Sequence, residues 1–200
     1  TRSHTTSTAM NEPAMTSWVN GKDVSDNERG QRLQTIWSFV RHFCGVMKRL
    51  DPKHPTTVGV AFASELAEVG AHVDVLSFHD YRATRSAICA HIDEACDFAQ
   101  RFEKPLLVSE IGCLARANPY DVTLELFQQR GMGWYLWELM IGVSRWRDIH
   151  GVVYPDGTVR DPSIVAAIGG FFRKRSGEIV PPHVDKEGAA TRALAQAHAW

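Results

Sequence analysis

Two glutamates stand at positions where a folded chain places charge only for a reason. Glu110 closes the apolar run Leu106-Leu107-Val108-Ser109 and is followed by Ile111-Gly112, and Glu12 lies far upstream in the compact motif Met10-Asn11-Glu12-Pro13. An ionised carboxylate at the end of a buried strand needs a partner or a task, because unpaired buried charge is expensive. Two such carboxylates facing one another are equipment for proton transfer and nucleophilic attack. His79-Asp80-Tyr81 and Trp137-Glu138 end two further apolar runs. His79 and Tyr81 share one face of an extended chain, whereas Trp134 and Trp137 have opposite parity, so that at most one of the two tryptophans faces a given side.

These residues have to be carried by strands and helices that bring them to one end of a sheet. Residues 57–62, 73–79, 105–110 and 133–138 read as four short, apolar, β-branched or aromatic runs bounded by turn signals, which predicts strands; the first is expected to be buried on both faces. Residues 27–50 place Leu33, Ile36, Trp37, Val40, Cys44 and Met47 on one helical stripe, with Ser25 and Glu28 spaced as a capping box. A second helix is predicted over 86–102, burying Ile88, Ile92, Cys96 and Ala99. A third opens at Asn118-Pro119 as N-cap and first-turn proline and runs to Arg130, and a fourth opens at Asp161-Pro162 with Ile164, Val165, Ile168 and Phe172 on its apolar side. Strands alternating with helices imply a parallel α/β sheet. In a parallel barrel the reacting groups stand at the C-terminal strand ends, so Glu12 and Glu110 would meet across the mouth.

The totals narrow the partners. The 200 residues are 44% hydrophobic and carry 22 basic against 23 acidic side chains, so no electrostatic footprint points to nucleic acid or an anionic membrane, and a neutral partner such as a sugar is left open. No stretch approaches the roughly 20 consecutive apolar residues of a spanning helix. The four cysteines form no C-x-x-C pair and have no histidine at ligand spacing, and no Gly-rich phosphate loop is present; neither a metal nor a cofactor is expected. Cys89 and Cys96 would lie roughly 10 Å apart along a helix, beyond disulfide reach. All four cysteines read as small buried hydrophobes.

Asn11-Glu12-Pro13, the His79-x-Tyr81 pair, Ser109-Glu110-Ile111-Gly112 and Trp137, in this order and on these elements, resemble the fourth, sixth, seventh and eighth strands of the clan of (β/α)8 retaining glycosidases, nearest the cellulase-like and mannanase-like family 5 hydrolases. The stretch from Gly151 to Pro162 resembles the segment after the last strand in some of these enzymes. The resemblance covers residues 10–175 and implies a partial TIM barrel, its C-terminal half, from about strand 4 or 5 to strand 8. It implies hydrolysis of β-linked oligo- or polysaccharides by double displacement, with Glu12 as acid/base and Glu110 as nucleophile. It also implies that Asn11 bonds the sugar 2-hydroxyl, that His79 and Tyr81 line the site with Tyr81 beside the nucleophile, and that Trp137 forms a platform for the sugar ring. Glucoside, mannoside and galactoside linkages all fit it.

Each residue also has a plainer reading. Glu12 alone reads as a surface carboxylate in a turn, Glu110 as one member of a structural ion pair with an arginine, and His79 as a rim histidine. Trp37 and Trp134 read as packing residues; Trp18 would line a subsite or cover the rim. Glu138, Asp80, Arg82 and Trp146 fall near the mouth without a spacing that assigns them a role. The chain departs from the family pattern in lacking the first three strands and the arginine that one of them usually contributes. Residues 1–9 are polar where a buried strand is expected, which reads as a truncated or non-native start, and residues 176–200 read as a tail or linker. The second reading is therefore a non-catalytic half-barrel, a sugar-binding relic inactive by itself, expected to self-associate through its uncovered surface.

Overall fold

The computed structural model describes residues 24–140 and 150–170. Their order is α1 (Asp26–Leu50), β1 (Thr57–Val60), α2 (Leu66–Val69), β2 (Val75–Asp80), α3 (Arg85–Phe102), β3 (Leu106–Ile111), α4 (Tyr120–Gln129), β4 (Gly133–Leu136) and α5 (Pro162–Ile168). The strands form one sheet in the order β1-β2-β3-β4 with every neighbouring pair parallel. This is the expected α/β class and the architecture of a partial (β/α)8 barrel. The upstream motif carrying Asn11 and Glu12 lies outside the described residues, as do Trp18, Trp146, Phe172 and the tail.

Local chemistry sets the helix boundaries. Ser25 caps α1 by accepting from the Glu28 backbone N–H at 3.3 Å, and acidic Asp26 and Glu28 open the helix while basic Lys48 and Arg49 close it, each at the favourable end of the helix dipole. Asp161 caps α5 by accepting from Ser163 N at 2.8 Å, with Pro162 in the first turn. At α4 the expectation fails. Pro119 occupies the N-cap position and Asn118 does not cap; its side chain is taken by distant backbone groups described below.

The core lies between the sheet and the helices. Val60, Phe78, Val108 and Trp134 are in register across the four strands and share one face. The first three are buried, and Trp134 packs against the same core together with Ile88 and Ile92 of α3, Leu124 and Phe127 of α4 and Ile164 of α5. Trp134 is thus a packing residue, as its parity predicts. The next layer is polar and closed. Asp80 Oδ2 lies 3.1 Å from His91 Nδ1, and His91 Nε2 accepts from the Ala63 N–H at 2.7 Å, with both side chains buried. Because Nε2 accepts, Nδ1 holds the proton and donates to Asp80. Asp80 therefore faces the helices and is removed from the mouth.

The opposite face behaves differently from the expectation for β1. Thr57 and Gly59 are exposed while Val60 is buried, so this strand is covered on one side. β1 is an edge of the described sheet, and its other face is the one that a closed barrel would fill. α1 is similarly half-covered. Cys44 is buried and Trp37 and Val40 pack on the core, but Met47 is exposed; among the described residues α1 packs chiefly on one-turn α2 and the short turn after it. Two ion pairs fasten it there, Arg41 to Glu68 at 2.7 Å and Lys48 to Asp74 at 2.8 Å; the Lys48 bond, aided by Thr56, holds the Asp74 carboxyl down at about 2.

Large apolar groups consequently stand in solvent: Tyr135 (65% exposed), Leu139 and Met140 beside β4, and Phe39 (65%) stacked on Phe43 along α1. Unpaired strand edges next to exposed apolar side chains favour association with further chain. The chain by itself is expected to self-associate. Light scattering behind size exclusion should show species heavier than a monomer, and a monodisperse monomer with a cooperative melt would contradict this.

Candidate active site

Glu110 is turned to the inner side of the sheet by a register slip in β3. Phe78 pairs with Val108, but His79 pairs with Glu110, so Ser109 is an extra residue against β2. Against β4 the same stretch slips again, Val108 pairing with Trp134 and Ile111 with Leu136. Val108 and Ile111 are both buried on the core side, three positions apart, where strict alternation would have put Glu110 among the helices. The bulge re-aims one side chain and leaves the core intact. The Ser109 hydroxyl accepts from Ser77 Oγ at 2.6 Å, which gives the extra residue a partner inside the sheet.

Two neighbours converge on one oxygen of Glu110. The Tyr81 hydroxyl donates to Oε2 at 2.8 Å, and His79 Nδ1 stands 3.2 Å from the same atom. A hydrogen bond to a charged group contributes about 1.5–3 kcal/mol, so the Tyr81 bond offsets part of the cost of half-burying the carboxylate. Tyr81 is buried, and its phenol is pushed well above the ordinary value, first by burial and then by the Glu110 charge and the hydrogen bond to it. It stays protonated, and therefore a donor, at any working pH. Donors of this kind favour the ionised carboxylate, the form a nucleophile needs.

Two glycines make room. A Cβ at Gly59 would lie 2.8 Å from His79 Nε2, so β1 leaves a gap into which the imidazole fits. Gly112 has φ +96°, and a Cβ there would lie 2.6 Å from the Tyr120 ring, so the turn that follows Glu110 accepts only glycine. Asn118 ties this turn to the next mouth segment: its Oδ1 accepts from Gly112 N at 3.1 Å and its Nδ2 donates to Arg82 O at 2.7 Å. One side chain thus links the residue after Tyr81 to the turn after Glu110.

Trp137 lies just past β4, its N–H donating to Ile111 O at 2.9 Å and its side chain 43% exposed. Its backbone stands next to the end of the Glu110 strand. Glu138 acts there through its backbone, its carbonyl accepting from Val152 N at 3.1 Å. Arg82 flanks Asp80 at 3.8 Å. The structure brings His79, Tyr81 and Glu110 into contact and places the Trp137 backbone on the adjacent strand end, whereas Asn11 and Glu12 lie outside the described residues. Sequence reasoning missed Gly59, Ser109, Asn118 and the residues that flank the Tyr81 ring, because each acts through a long-range contact with no local spacing. A cavity of about 520 Å³ lies at the N-terminal ends of α4 and α5, lined by Leu114, Asn118, Pro119, Tyr120, Asp161 and Ala167 among others.

No protein-family model and no curated protein matches the chain. Solved structures do. The chain is similar to a glycoside hydrolase family 17 β-1,3-glucanosyltransferase from Rhizomucor miehei, with 13% identity, 62% of this chain and 56% of that one covered and a TM-score of 0.51. It is also similar to Bacteroides uniformis β-glucuronidase, with 16% identity, 76% and 22% covered and a TM-score of 0.50. At these identities the likeness is one of fold, that of TIM-barrel glycoside hydrolases. The chain spans about half the length of the first of these proteins and about a fifth of the second.

The Tyr81→Phe variant keeps the ring and removes the donor. The titration midpoint of the Glu110 carboxyl, followed by carbon NMR, is expected to move upward, since the charged form loses a hydrogen bond. An unchanged midpoint would mean that the Tyr81 contact does nothing for the ionisation of Glu110.

Proposed function

We propose that this chain is the catalytic half of a retaining β-glycosidase of the (β/α)8 clan, nearest family 5, acting on β-linked oligo- or polysaccharides. The observation that carries the reading is the convergence of Tyr81 and His79 on Glu110 Oε2 at the C-terminal ends of adjacent parallel strands. That is where such barrels keep their reacting groups, and the Tyr81 donor favours the ionised, nucleophilic form of the carboxylate. The role of Glu12 rests on its motif with Asn11 and Pro13.

In the first step a carboxylate oxygen of Glu110 attacks the anomeric carbon as the bond to the glycosidic oxygen breaks, and the protonated Glu12 gives its proton to that leaving oxygen. A glycosyl ester on Glu110 results. In the second step Glu12, now a carboxylate, takes a proton from water, whose oxygen attacks the same carbon. The ester bond breaks and its electron pair returns to Glu110. Tyr81 contributes by donating to Glu110 whenever the carboxylate is charged, a contact that weakens once the ester has formed. His79 lines the site, Trp137 stacks on a sugar ring, and Asn11 bonds the 2-hydroxyl.

A second reading, a sugar-binding half-barrel without turnover, is favoured by the exposure of Thr57, Gly59 and Tyr135 on the inner side of the two outer strands, which a working site would have to cover. A 2-deoxy-2-fluoro-glycoside with a good leaving group separates the two. The first reading predicts an ester on Glu110 by peptide mass spectrometry and none in Glu110→Ala. Retained sugar binding with no label supports the second, and a label on another carboxylate contradicts the assignment of Glu110.

A further inference from the structure

We infer that His150 is a positioning residue that fixes the Tyr81 hydroxyl on Glu110; its importance for turnover rests on the reading of Glu110 as nucleophile, but its geometry does not. The segment after β4 returns to the mouth by pairing with it, Val152 N donating to Glu138 O and Val153 N to Leu139 O at 3.0 Å. This delivers His150, which no motif or strand-end position singles out, into the buried space behind the site, where it is 3% exposed.

The imidazole touches the Tyr81 ring and the turn that follows Glu110. Its Nδ1 lies 2.8 Å from Gly112 O, in the turn that begins two residues after Glu110. A carbonyl only accepts, so Nδ1 carries the proton and donates. The ring itself meets the Tyr81 ring edge-on, with centroids 5.7 Å apart and planes at 63°. Arg116 places its guanidinium carbon 5.5 Å from the Tyr81 ring centroid, and the carbonyl of His150 accepts from the Arg160 guanidinium. The donor ring and the turn after the acceptor are thus referenced to one buried side chain that is itself held by Arg160. A hydrogen bond to a carboxylate weakens steeply with misalignment, so a residue that holds the donor ring against the turn after the acceptor governs how much the bond contributes.

The test is the Glu110 carboxyl titration in the chain, followed by carbon NMR in four proteins: wild type, Tyr81→Phe, His150→Ala and the double variant. His150→Ala is expected to move the midpoint upward by at least half of the displacement that Tyr81→Phe produces. Adding it to Tyr81→Phe should give no further movement, since both act on one bond. His150→Asn retains a side-chain N–H for Gly112 O and loses the ring, and is expected to lie between wild type and His150→Ala. A wild-type midpoint in His150→Ala, or additive displacements in the double variant, would overturn the inference. Should His150→Ala fail to fold, His150→Asn decides: an upward midpoint supports the role and a wild-type midpoint refutes it. These midpoints need no substrate, so an upward shift in a protein that never labels with the fluorosugar would sink the glycosidase reading alone.

Discussion

The site depends on one extra residue in β3. Parallel strands alternate their side chains with a period of two, and Val108 is committed to the core by its register with Phe78 and Trp134. Without the bulge, with Ser109 in an ordinary alternating place, Glu110 would point into the helix layer and Ile111 into the open mouth. Such a strand would bury a bare charge and expose a hydrophobe. With it, Ile111 returns to the core beside Leu136 and Glu110 is left on the inner side facing His79. A sheet that is continuous with its core on one face can in this way carry chemistry on the other.

Around that bulge, the mouth is held by polar contacts of long sequence range. Asn118 spans from Gly112 to Arg82, His150 from Gly112 to Tyr81, and the Ser77–Ser109 pair closes the sheet beneath them. Each satisfies backbone or hydroxyl groups that the bulge and the turns leave unpaired, so fold stability and site geometry share the same bonds. Asp80 and His91 form a second closed network one layer behind, and it is the parity of β2 that separates them from His79.

Much of the scaffold was legible because its signals are local. Four apolar runs became the four strands, and Ser25 and Asp161 opened helices, since a hydroxyl or carboxylate at an N-cap needs only its own next turn. The joint order of motifs pointed to the barrel, and the resemblance they carry implied that Tyr81 stands beside Glu110. What was not legible depended on distant partners. Asn118 has the right type and place for a cap, yet Gly112 and Arg82 compete for its side chain and win. The full burial expected for β1 failed because a sheet edge is a property of the assembly, not of the strand. Bulges have no residue code of their own, and Ser109 looked like an ordinary strand position.

The separation of the Glu12 and Glu110 carboxyl groups in an experimental structure tests the retaining mechanism most directly. A retaining site requires about 5–5.5 Å between them, with Glu12 on the same mouth as Tyr81 and Trp137. A gap of about 6.5–9.5 Å, the spacing of inverting enzymes, or a Glu12 at the other end of the sheet would contradict it.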